Sequence, residues 1–188
     1  KIPCQRLPLS AAVNPGGRAA LLFMADVPAT GYAVYRLFDD SPAPAVDTDL
    51  SASGNVLKNR WITAEFDEKT GFISRLAFRS EDAGELSVLS SAGAVPVVLD
   101  DPSDTWSHWV FRYDQEIGTF SNAKLKVLEN GPVRATLQVT STFGSSSLVQ
   151  QFSLYADQPY LESRVTVDWH EQLKVLKLRF PVAVNRPK

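Results

Sequence analysis

The chain has 188 residues, 44% hydrophobic and 21% charged, with a net charge of −2. That length lets one domain bury roughly 70% of the surface its unfolded chain exposes. The small negative charge argues against nucleic acid and anionic membrane as partners, and no apolar run approaches the roughly 18 residues that would span a bilayer.

Lys1 to Leu9 lacks the apolar stretch of a secretory signal. The first residue is not Met, so the sequence reads as a fragment of something longer. Cys4 is the single cysteine; it excludes an intramolecular disulfide and leans toward a reducing, cytoplasmic setting. Residues 1–38 are too few for a core of their own. They are expected to be the strand remnant of a preceding small β-domain, packed on a larger sandwich. Residues 39–55 read as a linker, because Phe38 to Asp47 is rich in Pro, Asp and Ala. The main domain then covers 56–188 and is incomplete at its C-terminus.

Within that domain the signal is almost all period two. Arg60 to Phe66 and Phe72 to Phe78 flank Asp67-Glu68-Lys69-Thr70-Gly71, a hairpin in which Gly71 supplies the positive φ of a bulged turn. Asp82 to Ser91 carries a short hint of helix. Val95 to Leu99 reads as a short strand, and Pro96 assigns it to a sheet edge or a strand start. Val133, Ala135, Leu137 and Val139 alternate with polar residues, as do Leu148, Gln150, Phe152 and Leu154. Leu161, Ser163, Val165, Val167 and Trp169 form a third alternating set. Each fits a strand with one buried face. Asn130-Gly131-Pro132, Gly144 to Ser147 and Ala156 to Pro159 are the turns between them. The three strands read as an antiparallel meander, and Leu176, Leu178 and Phe180 add a fourth, with Lys177 and Arg179 outward. Together these predict an all-β chain, a large antiparallel β-sandwich of two packed sheets.

Two tracts carry residues suited to chemistry. Asp100 to Trp109 holds three carboxylates, one histidine and two tryptophans. Aromatic faces pack on sugar C–H groups while carboxylates accept from hydroxyls, so Asp101, Asp104, Trp106 and His108 are the substrate-cleft candidates. The competing reading is an ordered loop with Asx-turns and Trp106 plugging the core; a calcium site is a third, although the spacing matches no EF-hand. A glycosidase needs two carboxylates about 5 to 9.5 Å apart across a sugar, and neighbours on one tight loop are poorly placed for that. The second tract is Asp168-Trp169-His170-Glu171. His170-Glu171 resembles the start of a zinc-protease helix, but the second histidine is replaced by Lys174. It reads instead as a polar corner between strands, with Trp169 on the core. No catalytic residue and no metal ligand is assigned. Lys124, Lys126, Lys174, Lys177 and Arg179 read as a solvated face.

Asp168-Trp169-His170-Glu171, followed by Leu176-Lys177 and Phe180-Pro181-Val182, resembles the C-terminal β-domain of family 38 glycoside hydrolases, the α-mannosidases. Ala25 to Ala29 with Gly31 to Leu37, Leu57 to Arg60 with Asp67 to Gly71, Asp104 to His108, and Glu129 to Arg134 are similar to further segments of that family in the same order. The resemblance implies a super-sandwich like that of galactose mutarotase. It implies a full-length retaining enzyme that hydrolyses terminal α-linked mannose, with its nucleophile and a divalent metal, usually zinc, on an N-terminal barrel. No residue here matches those motifs, so this portion needs no cofactor and is expected to be inactive alone. Its partners would be that barrel, a mannose-containing glycan and, through an exposed strand edge, a second copy in a homo-oligomer. A stand-alone carbohydrate-binding or structural sandwich is the alternative.

Overall fold

The computed structural model describes residues 1–7, 20–38, 48–82, 84–103 and 106–184. The described residues contain strands and turns and no helix, so none is long and apolar enough to cross a membrane. Fourteen strands follow in order: β1 Cys4–Leu7, β2 Ala20–Phe23, β3 Ser51–Ser53, β4 Val56–Lys58, β5 Ile62–Phe66, β6 Ile73–Ser80 and β7 Gly84–Ser87. Then come β8 Val95–Asp100, β9 Glu116–Thr119, β10 Ser121–Asn130, β11 Arg134–Phe143, β12 Ser146–Tyr155, β13 Leu161–Asp168 and β14 Lys174–Arg179. They form antiparallel sheets in the orders β1-β2, β3-β4-β5-β6-β7, β10-β11-β12-β13 and β14-β8-β9.

The two larger sheets face each other as a sandwich. Leu57, Ala64, Phe66 and Ile73 from one meet Ala135, Leu137, Phe152 and Leu154 from the other, all sealed from solvent. Phe66 and Phe152 touch at the centre, with ring centroids 4.9 Å apart. The alternation along β11 and β12 therefore aims the expected residues inward, Gln150 included; its amide donates to the Ala94 carbonyl at 3.2 Å. The smaller sheet lies against one end. Val98 of β8, Phe120 and Leu148 of β12 form a second cluster, with Trp169 partly buried on it.

The Asp67–Gly71 hairpin forms as expected. Asp67 Oδ1 accepts from the Lys69 and Thr70 amides at 3.0 and 2.7 Å. Those contacts, led by the Thr70 amide, hold its carboxyl below the usual range. Gly71 has φ +73° and sits 2.4 Å, measured from where a Cβ would stand, from the Val139 side chain. Both facts require glycine.

Several elements depart from the sequence reading, each for a physical reason. The segment with a hint of helix forms β7, paired to β6. β8 is central, so of the two places expected for Pro96 the strand start holds and the edge does not. Pro96 is tolerated because it stands second in the strand, where its carbonyl accepts from Phe120 N just past the last β8–β9 pair. The meander runs β10 to β13, and β14 leaves it to pair with β8. Along β13 the expected buried face is open: Val165 and Val167 are 39% and 44% exposed. The linker reading falls mainly on residues outside the described set, but Ser51–Ser53 at its end is strand β3. From the N-terminal hairpin, buried Gln5 accepts from the Val133 and Arg134 amides at 3.2 and 2.8 Å, tying β1 to the sandwich.

Asn59 holds the sheets in register at one end. It is 1% exposed. Its Nδ2 donates to the Tyr155 and Gln158 carbonyls at 2.9 and 3.0 Å, and its Oδ1 accepts from the Trp61 and Ile62 amides at 3.0 and 2.8 Å. Asn59→Ala strips all four partners and is expected to cost about 2–4 kcal/mol, read from urea unfolding. Asn59→Asp keeps the accepting oxygen but sets a carboxylate against two carbonyls. It should also lower the unfolding midpoint, and a midpoint equal to wild type would refute this role.

Candidate functional site

The two chemistry-bearing tracts meet at one end of the sandwich. The loop 101–115 leaves β8 and returns into β9, while the corner 169–173 links β13 to β14. β8 and β14 pair from Asp100↔Lys174 onward, and the Asp101 amide donates to the Leu173 carbonyl at 2.9 Å. Residues far apart in the sequence are thereby neighbours.

The corner is a clasp. Glu171 Oε1 accepts from the Ser145 amide at 2.9 Å and from Ser146 Oγ at 3.1 Å. Ser146 Oγ in turn accepts from the His170 amide at 2.8 Å. Both serines lie at the β11–β12 turn, where Phe143 pairs with Ser146 and Gly144 has φ +54°. That is the positive φ that a two-residue hairpin needs at its first position. A Cβ at Gly144 would stand 2.4 Å from Glu171 Oε1, so the glycine also makes room for the carboxylate. Trp169 stacks on Phe120 with centroids 6.4 Å apart, and His170 Nε2 lies 3.0 Å from Asp168 Oδ1 at the surface. The tract is thus the polar corner between strands that the sequence suggested, with Trp169 on the core and Glu171 fastening it to the hairpin turn.

The loop is different. Asp101 is half-buried, and its Oδ1 accepts from the Ser103 amide at 3.1 Å and from Ser103 Oγ. This is the Asx-turn the sequence suggested, and it fixes the base of the loop. Trp106 does not plug the core: it is 80% exposed, Trp109 is 88% and Phe111 is 89%. His108 is exposed beside them. Ser107 Oγ and Tyr113 OH are 2.9 Å apart, and Lys177 Nζ lies 5.3 Å from the centre of the Tyr113 ring. Ser107 and Trp109 have φ of +54° and +64°, left-handed backbone that costs strain in residues other than glycine. Asp104 falls outside the described residues. The structure therefore brings Asp101, Trp106 and His108 onto one loop. Trp109, already counted in the Asp100 to Trp109 tract, lies on the same loop, and the structure adds Phe111 and Tyr113 to it.

Among the described residues no three His, Cys, Asp or Glu side chains converge as a metal site. Arg134 and Tyr155 have displaced pKa values of structural origin. A bidentate pair with Glu129, at 2.7 Å for both bonds, raises the Arg134 guanidinium. Burial, followed by the hydrogen bond to Glu162, raises the Tyr155 phenol. Both lie on the sandwich rather than on the loop.

Glu171→Ala is expected to destabilise the fold by about 1–2 kcal/mol, since two donors lose a charged acceptor. It should also speed hydrogen exchange at the Ser145 amide; an unchanged exchange rate would refute the clasp.

No curated protein matches the chain. A family model described as the glycosyl hydrolases family 38 C-terminal domain matches residues 57–188, from β4 to the end of the sequence. The all-β sandwich and this match over most of its length agree, and the chain belongs to glycosyl hydrolase family 38 through its C-terminal domain.

Proposed function

We infer that this chain is the non-catalytic β-sandwich portion of an α-mannosidase that removes terminal α-linked mannose. In this reading it packs on a catalytic barrel of the same polypeptide, and loop 101–113 forms part of the rim of the sugar-binding cleft. The observation that carries the reading is the family match across residues 57–188. It is supported by the loop itself, a fixed base at Asp101 carrying two tryptophans and a phenylalanine into solvent.

Chemically, the loop suits recognition rather than bond cleavage. Glycoside hydrolysis needs two carboxylates flanking the scissile bond. Asp101 is turned into its own Asx-turn, and the carboxylate of Glu171 is held by the hairpin turn. Nor do the described residues fit a zinc ion, because no ligand set converges. In this reading the nucleophile and the divalent metal belong to the barrel, as the family resemblance implies. What remains here is apolar area: an indole face can cover the C–H face of a pyranose, and His108 and the Asp101 backbone region offer polar contacts beside it. The exposed indoles also favour a second reading, a carbohydrate-binding module whose affinity does not depend on a barrel.

In the full-length enzyme, Trp106→Ala is expected to lower kcat/KM for an α-mannoside about tenfold, mainly through KM. The isolated chain should give no turnover of an aryl α-mannoside. Turnover by the isolated chain would sink the non-catalytic assignment. Unaltered kinetics in Trp106→Ala would remove the loop from the cleft. Calorimetric binding of mannose to the isolated chain, lost on the same substitution, would favour the second reading.

A further inference from the structure

The loop 101–115 carries backbone strain that some contact must hold. Ser107 and Trp109, neither of them glycine, both have left-handed φ, +54° and +64°. Conformations of that kind persist only where the surroundings over-determine them. The neck of the loop is closed by the Asp100 amide, which donates to the Gln115 carbonyl at 2.9 Å. Its outgoing arm is fixed by the turn at Asp101, whose carboxylate accepts from the Ser103 amide. Neither contact reaches Ser107 or Trp109.

The contact that does reach them comes from Tyr113, on the returning arm. Its ring is half-buried and packs on the cluster of Val95, Val97 and Leu99 in β8. Its hydroxyl lies 2.9 Å from Ser107 Oγ, which joins the two arms across the width of the loop. Its carbonyl accepts from Lys177 Nζ of β14 at 3.3 Å. The same ammonium lies 5.3 Å from the centre of the ring, within the range at which a cation is attracted to an aromatic face. Inside the span so enclosed, the Val110 amide donates to the Ser107 carbonyl at 3.2 Å. One residue therefore connects the core of the small sheet, β14 and the strained turn. Compact surface loops packed by their own side chains are built in this way. Trp109 and Phe111, the two most exposed rings, stand between Ser107 and Tyr113, on the segment that this one bond closes.

We propose that Tyr113 is a positioning residue of the aromatic loop. Through its hydrogen bond to Ser107, and with Lys177 holding its carbonyl, it keeps the turn 107–112 and the rings on it in the arrangement that receives a sugar. This rests on the reading of the loop as part of a cleft rim, and it names what sets the shape of that rim. Apparent affinity falls in proportion to the fraction of molecules whose site is ordered. Loss of the Tyr113 hydroxyl is therefore felt as weaker binding and not as a slower chemical step.

The test combines steady-state kinetics of the full-length enzyme on an aryl α-mannoside with hydrogen exchange at the Val110 amide. Tyr113→Phe keeps the ring on its cluster and removes only the hydroxyl. It should speed exchange and raise KM, each by about threefold to tenfold, the range that one intramolecular hydrogen bond sets. The value of kcat should stay within about twofold of wild type. Ser107→Ala removes the other end of the same bond and should give the same result. The double variant should be no worse than either single, because both side chains act through one bond. Lys177→Met should move both readouts in the same direction, and Lys177→Arg, which keeps the cation and the donor, should return them toward wild type. Cooperative thermal unfolding shows that each variant folds. Wild-type exchange in Tyr113→Phe, a loss carried by kcat, or additive losses in the double variant overturns the proposal. So does faster exchange with a wild-type KM in an enzyme whose Trp106→Ala variant has a raised KM, a pattern that leaves the rim reading standing. A wild-type KM in Trp106→Ala as well removes the rim reading itself, and the proposal falls with it.

Discussion

The side chain of Asn59 sets the relation between the two sheets on which everything else rests. An asparagine amide has two N–H donors and an oxygen with two lone pairs, and here all four are used on backbone groups. Two partners lie beside it at the start of β5, and two lie at the end of β12 and the turn that follows. The amide therefore ties the start of β5 in one sheet to the end of β12 in the other. Its orientation is fixed by its partners, since the reverse would set donors against amide N–H groups. Because the site is dry, none of these bonds has water as a substitute, and the penalty for displacement is that of unsatisfied buried backbone. Beyond this pinned end, Phe66 and Phe152 meet between the apolar faces of β5 and β12.

How much of this was legible in the sequence depended on whether a strand had a neighbour on each face. Along β11 and β12 the alternation names the buried residues correctly, because a sheet lies opposite and the period of two fixes the face. Along β13 the same alternation named Val165 and Val167 as core, and they are partly open. The pattern marks which face would be buried; it carries no information about whether anything lies across from it. β14 shows a related limit. Leu176 and Leu178 mark a strand, but its partner is β8, far upstream, and the clasp at Glu171 turns the chain out of the meander to reach it. In β10, Lys124 and Lys126 read as a solvated face, and the strand beneath them went unrecognised because only Ala123, Leu125 and Val127 face the core.

The corner was legible in the sequence as a structural element despite its chemistry-bearing residues. Asp168 to Glu171 has the most suggestive residue types in the chain, yet those residues complete the packing and hydrogen bonding of the sandwich end. Asx-turn formation at Asp101 followed from residue type, whereas the exposure of Trp106 did not. A tryptophan in a loop is equally at home as a core plug, and residue type alone does not distinguish the two. Phe111, two residues past the Asp100 to Trp109 tract, was not singled out.

Rigidity beneath the loop is what gives those exposed rings consequence. Aromatic side chains lose little conformational entropy on binding only if the backbone that carries them is already fixed. Here the base of the loop is held by the Asp101 amide on Leu173, and Leu173 belongs to the corner that Glu171 fastens to the β11–β12 turn. One continuous set of hydrogen bonds thus runs from the hairpin turn, through the corner, to the foot of the aromatic loop. Loosening the corner tract would therefore loosen the foot of the aromatic loop. This gives Glu171 a structural reason to sit beside chemistry-bearing residues without itself performing any.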